Sequence, residues 1–171
     1  MPLNDNKIIM IDAERCTGCR SCEMACSIKH FGVCDSSHSR IRILELKENS
    51  LFIPMICQSC QRAVCINVCP MNAREKQNNN HVRTDENRCI GCRNCVYSCP
   101  FSSPVLNPVS GKVMSCDLCA DSEFGPWCVR ACEIPKALTF VGLGGFLTSK
   151  RRMSAGQIKS MYKGFGISKR V

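Results

Sequence analysis

The sequence predicts an α+β fold in which short strands and short helices alternate along the chain, and three observations support this. The chain has seventeen cysteines among 171 residues, a density that is typical of a disulfide scaffold or a metal protein. Sixteen of the cysteines recur in regular groups of four. The segments between the groups are short and strand-like, and no apolar run approaches the length of a membrane span.

Four cysteine quartets repeat along the chain, and only Cys34 lies outside them. The quartets are Cys16, Cys19, Cys22, Cys26; Cys57, Cys60, Cys65, Cys69; Cys89, Cys92, Cys95, Cys99; and Cys116, Cys119, Cys128, Cys132. In the first and third quartets two, two and three residues separate successive cysteines, which is the spacing of bacterial [4Fe–4S] ligands. The second and fourth quartets keep the first and last intervals but lengthen the middle one to four and eight residues.

The chemistry of a cubane cluster explains this spacing. Three closely spaced cysteines let one loop hold three corners of a cluster, and Gly18 and Gly91 permit the tight turns that this requires. The fourth cysteine of such a run ligates the other cluster of a pair, and Pro70 and Pro100 follow it in two quartets. A structural zinc site more often uses two separated cysteine pairs. The repeated triplets therefore favour clusters over zinc.

Disulfides and nucleic acid binding both fit the sequence poorly. Residues 1–10 show no secretory signal, so we expect a compartment in which thiols stay reduced. The net charge is +9, but residues 142–171 carry seven basic and no acidic residues. Four thiolate-bound cubanes would add about two negative charges each, which offsets most of the excess. We therefore expect no nucleic acid partner.

Short elements are predicted between the quartets. The expected strands are Lys7–Asp12, Arg40–Leu46 and Ala137–Val141, with a hairpin over Val105–Met114 that turns at Pro108–Gly111. One-turn helices, such as Val96–Ser98, are expected after each third cysteine. Because the apolar content is small for so many cysteines, we expect poor folding without metal.

Residues 7–141 resemble the four-cluster, ferredoxin-like electron-transfer subunits of multisubunit oxidoreductases. The matching segments are CTGCRSCEMACSIKHFG, SRIRI, CQSCQRAVCINVCPMNA, DENRCIGCRNCVYSCPF, GKVMSCDLC and WCVRAC. Such subunits accompany molybdenum or tungsten pterin enzymes, including DMSO reductase-type enzymes, as well as hydrogenases and carbon monoxide dehydrogenases. The HFG–SRIRI linker is most similar to subunits that partner tungsten aldehyde oxidoreductases.

The resemblance implies nested ferredoxin-like modules and four complete [4Fe–4S] clusters with crossed ligation. The two outer clusters would be held by Cys16, Cys19, Cys22 with Cys132, and by Cys116, Cys119, Cys128 with Cys26. The two inner clusters would be held by Cys57, Cys60, Cys65 with Cys99, and by Cys89, Cys92, Cys95 with Cys69.

The resemblance also implies a non-catalytic role. The chain would conduct electrons between the catalytic subunit of an oxidoreductase and a second donor or acceptor, such as a flavin- or NAD-reducing subunit. A free, soluble polyferredoxin is the alternative. We expect a cytoplasmic location, although subunits of this kind can also reach the periplasm by export with a partner.

Several other residues invite a functional interpretation but are expected to be structural. Cys34 is expected to be half-buried, Trp127 to cover a cluster, and Gly142, Gly144 and Gly145 to form a hinge. Because no quartet lacks a ligand, His30, His38 and His81 are also expected to be structural.

The sequence divides into a four-cluster domain, 1–141, and a basic C-terminal tail, 142–171. Ile158, Met161, Tyr162 and Phe165 form an apolar stripe at helical spacing, after Ser154 and Gln157 in the pattern of a capping box. Such a helix could fold back on its own domain or dock on another subunit, including a second copy of this chain.

Overall fold

The computed structural model describes residues 7–77 and 81–142, and within them the chain forms eight strands and four α-helices. In chain order these are β1 Lys7–Ile11, α1 Ser21–Phe31, β2 Arg42–Leu46, β3 Leu51–Met55, α2 Val64–Asn67, β4 Arg74–Lys76, β5 Val82–Thr84, α3 Asn94–Tyr97, β6 Val105–Leu106, β7 Val113–Met114, α4 Trp127–Arg130 and β8 Leu138–Gly142. Two single 3₁₀ turns, Ser36–His38 and Lys47–Asn49, flank β2. The predicted mixture of short strands and short helices is confirmed.

The strands form four antiparallel pairs, and one of these pairs joins the two ends of the described chain. Hairpins connect β2 to β3, β4 to β5 and β6 to β7, whereas β1 pairs with β8, from Lys7 opposite Gly142 to Ile11 opposite Leu138. Helix α1 also contacts α4. These contacts bring the first and fourth cysteine quartets together, although about a hundred residues separate them in the sequence.

The predicted strands are present, but the helices differ from the prediction. Helices α2, α3 and α4 each have four residues and contain the third cysteine of their quartet instead of following it. Helix α1 is longer, with eleven residues, and holds both Cys22 and Cys26 before it ends at Gly32 in a left-handed conformation. The apolar stripe and the capping box expected in the C-terminal tail lie outside the described residues.

Cysteine sulfur is part of the hydrophobic core. One buried cluster contains the aliphatic residues Ile9, Ile41, Ile56, Leu118 and Leu138 together with Cys22, Cys26 and Cys128. Two-stranded sheets and one-turn helices are not stable alone in water. The strands and helices are therefore stabilised by packing against this core, which includes its cysteine side chains.

Gly91 adopts a left-handed conformation with φ of 68° and lies against the turn between β6 and β7. A Cβ at this position would lie 2.7 Å from the carbonyl oxygen of Gly111. Gly32 has a similar φ of 70°, but nothing lies within 4 Å of its Cβ position. We expect Gly91→Ala to lower the free energy of unfolding by about 1–3 kcal/mol more than Gly32→Ala does. Chemical denaturation followed by circular dichroism measures both, and equal losses would contradict the close approach at Gly91.

Candidate metal centre

All seventeen cysteines lie in the described part of the chain, and none of them forms a disulfide. Most are buried or half-buried, whereas Cys19, Cys34 and Cys92 are exposed. Cys34 was expected to be half-buried; its Sγ lies at the surface, 3.4 Å from the Sδ of Met24. It thus lies apart from the buried groups of cysteines, on the outer side of α1.

Left-handed residues shape the loops that carry the cysteines. Gly18 and Gly91 have φ near 70°, as the sequence suggested, and Arg20, Ser59 and Arg93 adopt the same region. Residues other than glycine pay an energetic cost of about 1–2 kcal/mol there. Such strain persists only where surrounding interactions impose it, and it is typical of ligand sites.

The cysteine that ends the first quartet lies among the cysteines of the fourth. Burial raises the pKa of the Cys128 thiol, and the nearby thiols of Cys26, Cys119 and Cys22 raise it further. Burial also raises the pKa of the Cys116 thiol, with further contributions from Cys128 and Cys26. Cys26, Cys116 and Cys128 also belong to one packed core, so the last cysteine of the first quartet lies close to cysteines of the fourth.

Cys16, Cys19 and Cys22 of the first quartet form a second group, which lies near Cys132, the last cysteine of the fourth quartet. Burial raises the pKa of the Cys22 thiol to about 12, and Glu23, Cys16 and Cys19 act in the same direction. Glu133, directly after Cys132 in the sequence, lies close enough to act on the Cys19 thiol. Cys132 itself packs against the core that contains Cys22.

The second and third quartets also approach each other. A cavity is lined by Cys89, Cys92 and Cys95 of the third quartet together with Cys69 of the second. Burial raises the pKa of the Cys95 thiol, and Cys65 and Cys69 act on it as well. Cys57 lies near Cys65 and near Ser103, which follows Cys99 by four residues.

Backbone amides donate hydrogen bonds to several of these sulfur atoms. The donors are Arg40 to Cys26 at 3.4 Å, Ala73 to Cys69 at 3.2 Å, Val113 to Cys89 at 3.4 Å and Leu118 to Cys116 at 3.4 Å. Amide donors stabilise negative charge on sulfur. They suit thiolate ligands better than neutral thiols, and they come from residues outside the CxxC loops as well as within them.

A charged group that sequence reasoning missed lies beside Cys119. His30 Nε2 lies 3.9 Å from the Sγ of Cys119 and 3.5 Å from Oδ1 of Asp117, whose other oxygen pairs with Arg40. These three donor groups fall within 4.8 Å of one another. Burial lowers the pKa of His30, as does Arg40. His30 is far from Asp117 and Cys119 in the sequence, so no spacing pattern could have revealed the group.

The other two histidines contact hydroxyl groups. His38 Nδ1 lies 3.1 Å from Ser37 Oγ and 3.2 Å from Asp35 Oδ2, and His81 Nδ1 lies 2.9 Å from Ser59 Oγ. Trp127 is half-buried at the start of α4. Burial raises the pKa of the Cys119 thiol, and the nearby backbone amide of Trp127 acts against this rise. The predicted role of Trp127 as a cover over a cluster stays a prediction.

The chemistry of the cysteine sulfur atoms limits which metal groups they could bind. Burial and neighbouring thiols raise the pKa of Cys22, Cys116 and Cys128, and a strongly cationic group among these thiols favours their binding as thiolates. Thiolate sulfur selects zinc, copper(I) and iron–sulfur clusters. The donor types suit an iron–sulfur cluster, and the four cysteines that line one cavity match the number of thiolates that a cubane binds.

Family comparisons decide between these metals. Residues 48–141 match the model of the 4Fe-4S dicluster domain, and residues 7–27 match that of a 4Fe-4S binding domain. The chain belongs to this iron–sulfur family. Together with the seventeen cysteines, the two matches show that it holds multiple [4Fe–4S] clusters, and four are consistent with sixteen ligands.

Several relatives of this [4Fe–4S] protein are named electron-transfer proteins. It is 38% identical to the polyferredoxin-like subunit of an aliphatic sulfonate oxidoreductase from Pyrococcus furiosus, over 73% of this chain and 70% of the relative. It is 35% identical to the thiosulfate reductase electron transfer subunit PhsB of Salmonella typhi, over 76% and 73%. It is 33% identical to the electron transport protein HydN of Escherichia coli, over 74% and 83%.

The fold was also compared with solved structures, and its helices were compared with the length and hydropathy of a membrane span. A chain of the BamBC active-site complex of benzoyl-coenzyme A reductase is 26% identical, with a TM-score of 0.47, over 94% of this chain and 91% of that one. Among the described residues, no helix is both long and apolar enough to cross a membrane.

Proposed function

We propose that this protein is a non-catalytic electron-transfer subunit with four [4Fe–4S] clusters, which conducts electrons between a catalytic oxidoreductase subunit and a second donor or acceptor. The observation that carries this proposal is the packing of Cys26 with Cys116 and Cys128 of the fourth quartet, and of Cys69 beside the cysteines of the third. In each case the approaching cysteine would be the fourth ligand of a cubane. Each bound cluster would supply one-electron redox chemistry.

The proposed ligand set follows the crossed arrangement. The outer clusters take Cys16, Cys19, Cys22 with Cys132, and Cys116, Cys119, Cys128 with Cys26. The inner clusters take Cys57, Cys60, Cys65 with Cys99, and Cys89, Cys92, Cys95 with Cys69. The neighbouring residues hold the thiolates, exclude water and donate amide hydrogen bonds to sulfur, which raises the reduction potential of a bound cluster.

Two exposed cysteines supply candidate points of electron entry and exit. Cys19 belongs to the outer group and Cys92 to the inner group. Beside Cys92, Ile90 and Met71 are 63% and 44% exposed and line the same cavity. An apolar surface next to an exposed ligand suits contact with a partner protein, because it excludes water from the path between two redox centres.

A tungsten aldehyde oxidoreductase is the partner that we propose, on the similarity of the HFG–SRIRI linker. The names of the relatives favour a second candidate, the catalytic subunit of a sulfur-compound oxidoreductase such as a thiosulfate reductase or an aliphatic sulfonate oxidoreductase. The C-terminal tail, 142–171, is proposed to dock on such a partner or, head to tail, on a second copy of this chain. That part of the proposal rests on the sequence pattern alone.

Purification of the native complex tests the partner and the tail together. We expect a catalytic subunit with a pterin-bound metal to co-purify, and metal analysis to identify tungsten or molybdenum. A variant truncated after residue 145 is expected to keep its iron but to lose its place in the complex, as measured by light scattering. A full-length chain that purifies alone and reduces diffusing acceptors would instead identify a free polyferredoxin, and an unchanged complex size on truncation would contradict tail docking.

A further inference from the structure

Arg74, in β4, is a buried cation whose hydrogen-bond partners are all neutral. The residue is 2% exposed. Its Nη1 donates to Thr84 Oγ1 at 2.9 Å, and its Nη2 donates to Ser115 Oγ at 3.4 Å. Its buried Nε has no hydrogen-bond partner.

In the part of the chain that the structure describes, no carboxylate forms a salt bridge with Arg74, although other arginines have one. The guanidinium of Arg40 pairs with Asp117, and Arg88, at the surface, pairs with Asp85 and Glu75. A guanidinium remains charged at any pH at which proteins fold. Burying it without a negative partner is strongly unfavourable, so the sequence must supply negative charge nearby in another form.

The position of Arg74 indicates that this negative charge belongs to the cysteine-bound clusters of the proposed inner pair. Its side chain lines the cavity formed by Cys69, Cys89, Cys92 and Cys95. Burial raises the pKa of the Cys57 and Cys95 thiols, and the positive charge of Arg74 acts against this rise at both. Arg74 therefore lies close to ligands of both proposed inner clusters.

We propose that Arg74 is the internal counter-cation of the inner cluster pair and that it holds the midpoint potential of at least one inner cluster above the value it would otherwise have. The inference rests on the ligand set of the proposed function. Reduction adds one electron, taken from the partner protein, to a site that already carries net negative charge. A fixed cation in a region of low dielectric constant favours that added charge, and Arg74 itself forms and breaks no bond.

In contrast to the buried cation Arg74 near the inner cysteines, a buried acidic residue, Glu23, lies next to the outer cysteines. Glu23 is 2% exposed and directly follows Cys22. Its Oε1 accepts a hydrogen bond from the amide of Ile43 at 2.6 Å, whereas its Oε2 has no hydrogen-bond partner and lies 4.0 Å from the Arg20 guanidinium. A carboxylate disfavours added electrons.

Redox titration followed by electron paramagnetic resonance tests the role of Arg74. In Arg74→Gln, which removes the charge but retains hydrogen-bonding groups near Thr84 and Ser115, we expect part of the titration curve to move to lower potential. The expected shift is about a tenfold fall in the reduction equilibrium constant, which is 59 mV for a one-electron couple. Arg74→Lys, which keeps the charge, is expected to stay close to the wild-type curve.

Arg83→Gln is the matched control, because Arg83 carries the same charge in the same hairpin but is exposed to solvent. It is expected to leave the curve unchanged. An unchanged curve in Arg74→Gln, or an equal shift in Arg74→Lys, would overturn the proposed role of the charge. If Arg74→Gln fails to load clusters, Arg74→Met serves in its place, and loss of clusters in both but not in Arg74→Lys would still support a required counter-cation.

Iron and sulfide content separates this inference from the proposed function. A wild-type chain with about sixteen iron atoms and no shift in the variants would overturn the inference about Arg74 alone. A wild-type chain with iron for only two clusters would overturn the ligand set on which the inference rests.

Discussion

Removal of the clusters is expected to unfold most of the described chain instead of leaving an ordered apoprotein. The hydrophobic core contains Ile9, Ile41, Ile56, Leu118 and Leu138, and its other buried members are Cys22, Cys26 and Cys128. Once the clusters are lost, buried thiols face one another without the cationic groups that hold them together. The two-stranded sheets and four-residue helices cannot compensate, because such elements are unstable alone.

Oxidation with ferricyanide in the presence of a chelator removes the clusters and so allows the expected unfolding to be measured. We expect the far-ultraviolet circular dichroism to fall toward that of an unfolded chain, and the amide protons of α1, β1 and β8 to lose protection from exchange. A sample treated with chelator alone controls for metal bound at the surface. Reconstitution with iron and sulfide under reducing conditions is expected to restore both signals, and an apoprotein that keeps protected amides in β1 and β8 would contradict the prediction.

The cysteine pattern predicted much of the fold because each ligand loop is a local feature. Strands β1 and β8 and the β6–β7 hairpin were also predictable, since their apolar and turn residues lie in short, continuous segments. The β4–β5 hairpin was not predicted, because the sequence of β4 is Arg74, Glu75 and Lys76, a charged run that does not resemble a strand. The burial of Arg74 was equally hidden, since arginine is ordinarily a surface residue.

Contacts between distant residues were beyond the reach of the sequence pattern. The left-handed conformations of Arg20, Ser59 and Arg93 could not be expected from residues that normally avoid that region. The group formed by His30, Asp117 and Cys119 depends on the contact between α1 and the fourth quartet. The crossed ligation came from a family resemblance and not from spacing, and it stays a prediction that needs its own experiment.

Paired alanine substitutions are expected to reveal the crossed ligation through iron content. Cys22 and Cys26 lie one turn apart on α1, yet the proposal assigns them to different clusters. We expect Cys22→Ala and Cys26→Ala each to lower iron by up to about four atoms per chain. The double variant of these two neighbours is expected to lose the sum of both.

The pair Cys26→Ala and Cys128→Ala is expected to behave differently. Cys26 lies 102 positions before Cys128 in the sequence. The two side chains nevertheless lie close together, because Cys26 adds to the rise in the pKa of the buried Cys128 thiol. If both bind one cluster, the double variant loses no more iron than the more severe single variant, since that cluster is already damaged. Cys34→Ala, at an exposed cysteine outside the quartets, is the control and is expected to keep all its iron.

The comparison of the two double variants keeps its meaning even if a damaged site retains a three-iron cluster. The iron lost by each single variant then falls, but additivity still distinguishes two clusters from one. Additive loss for Cys26 with Cys128, together with non-additive loss for Cys22 with Cys26, would show that each quartet binds its own cluster. In that case the contact between α1 and α4 would serve packing alone, and electrons would have to pass between four separate sites instead of two interlocked pairs.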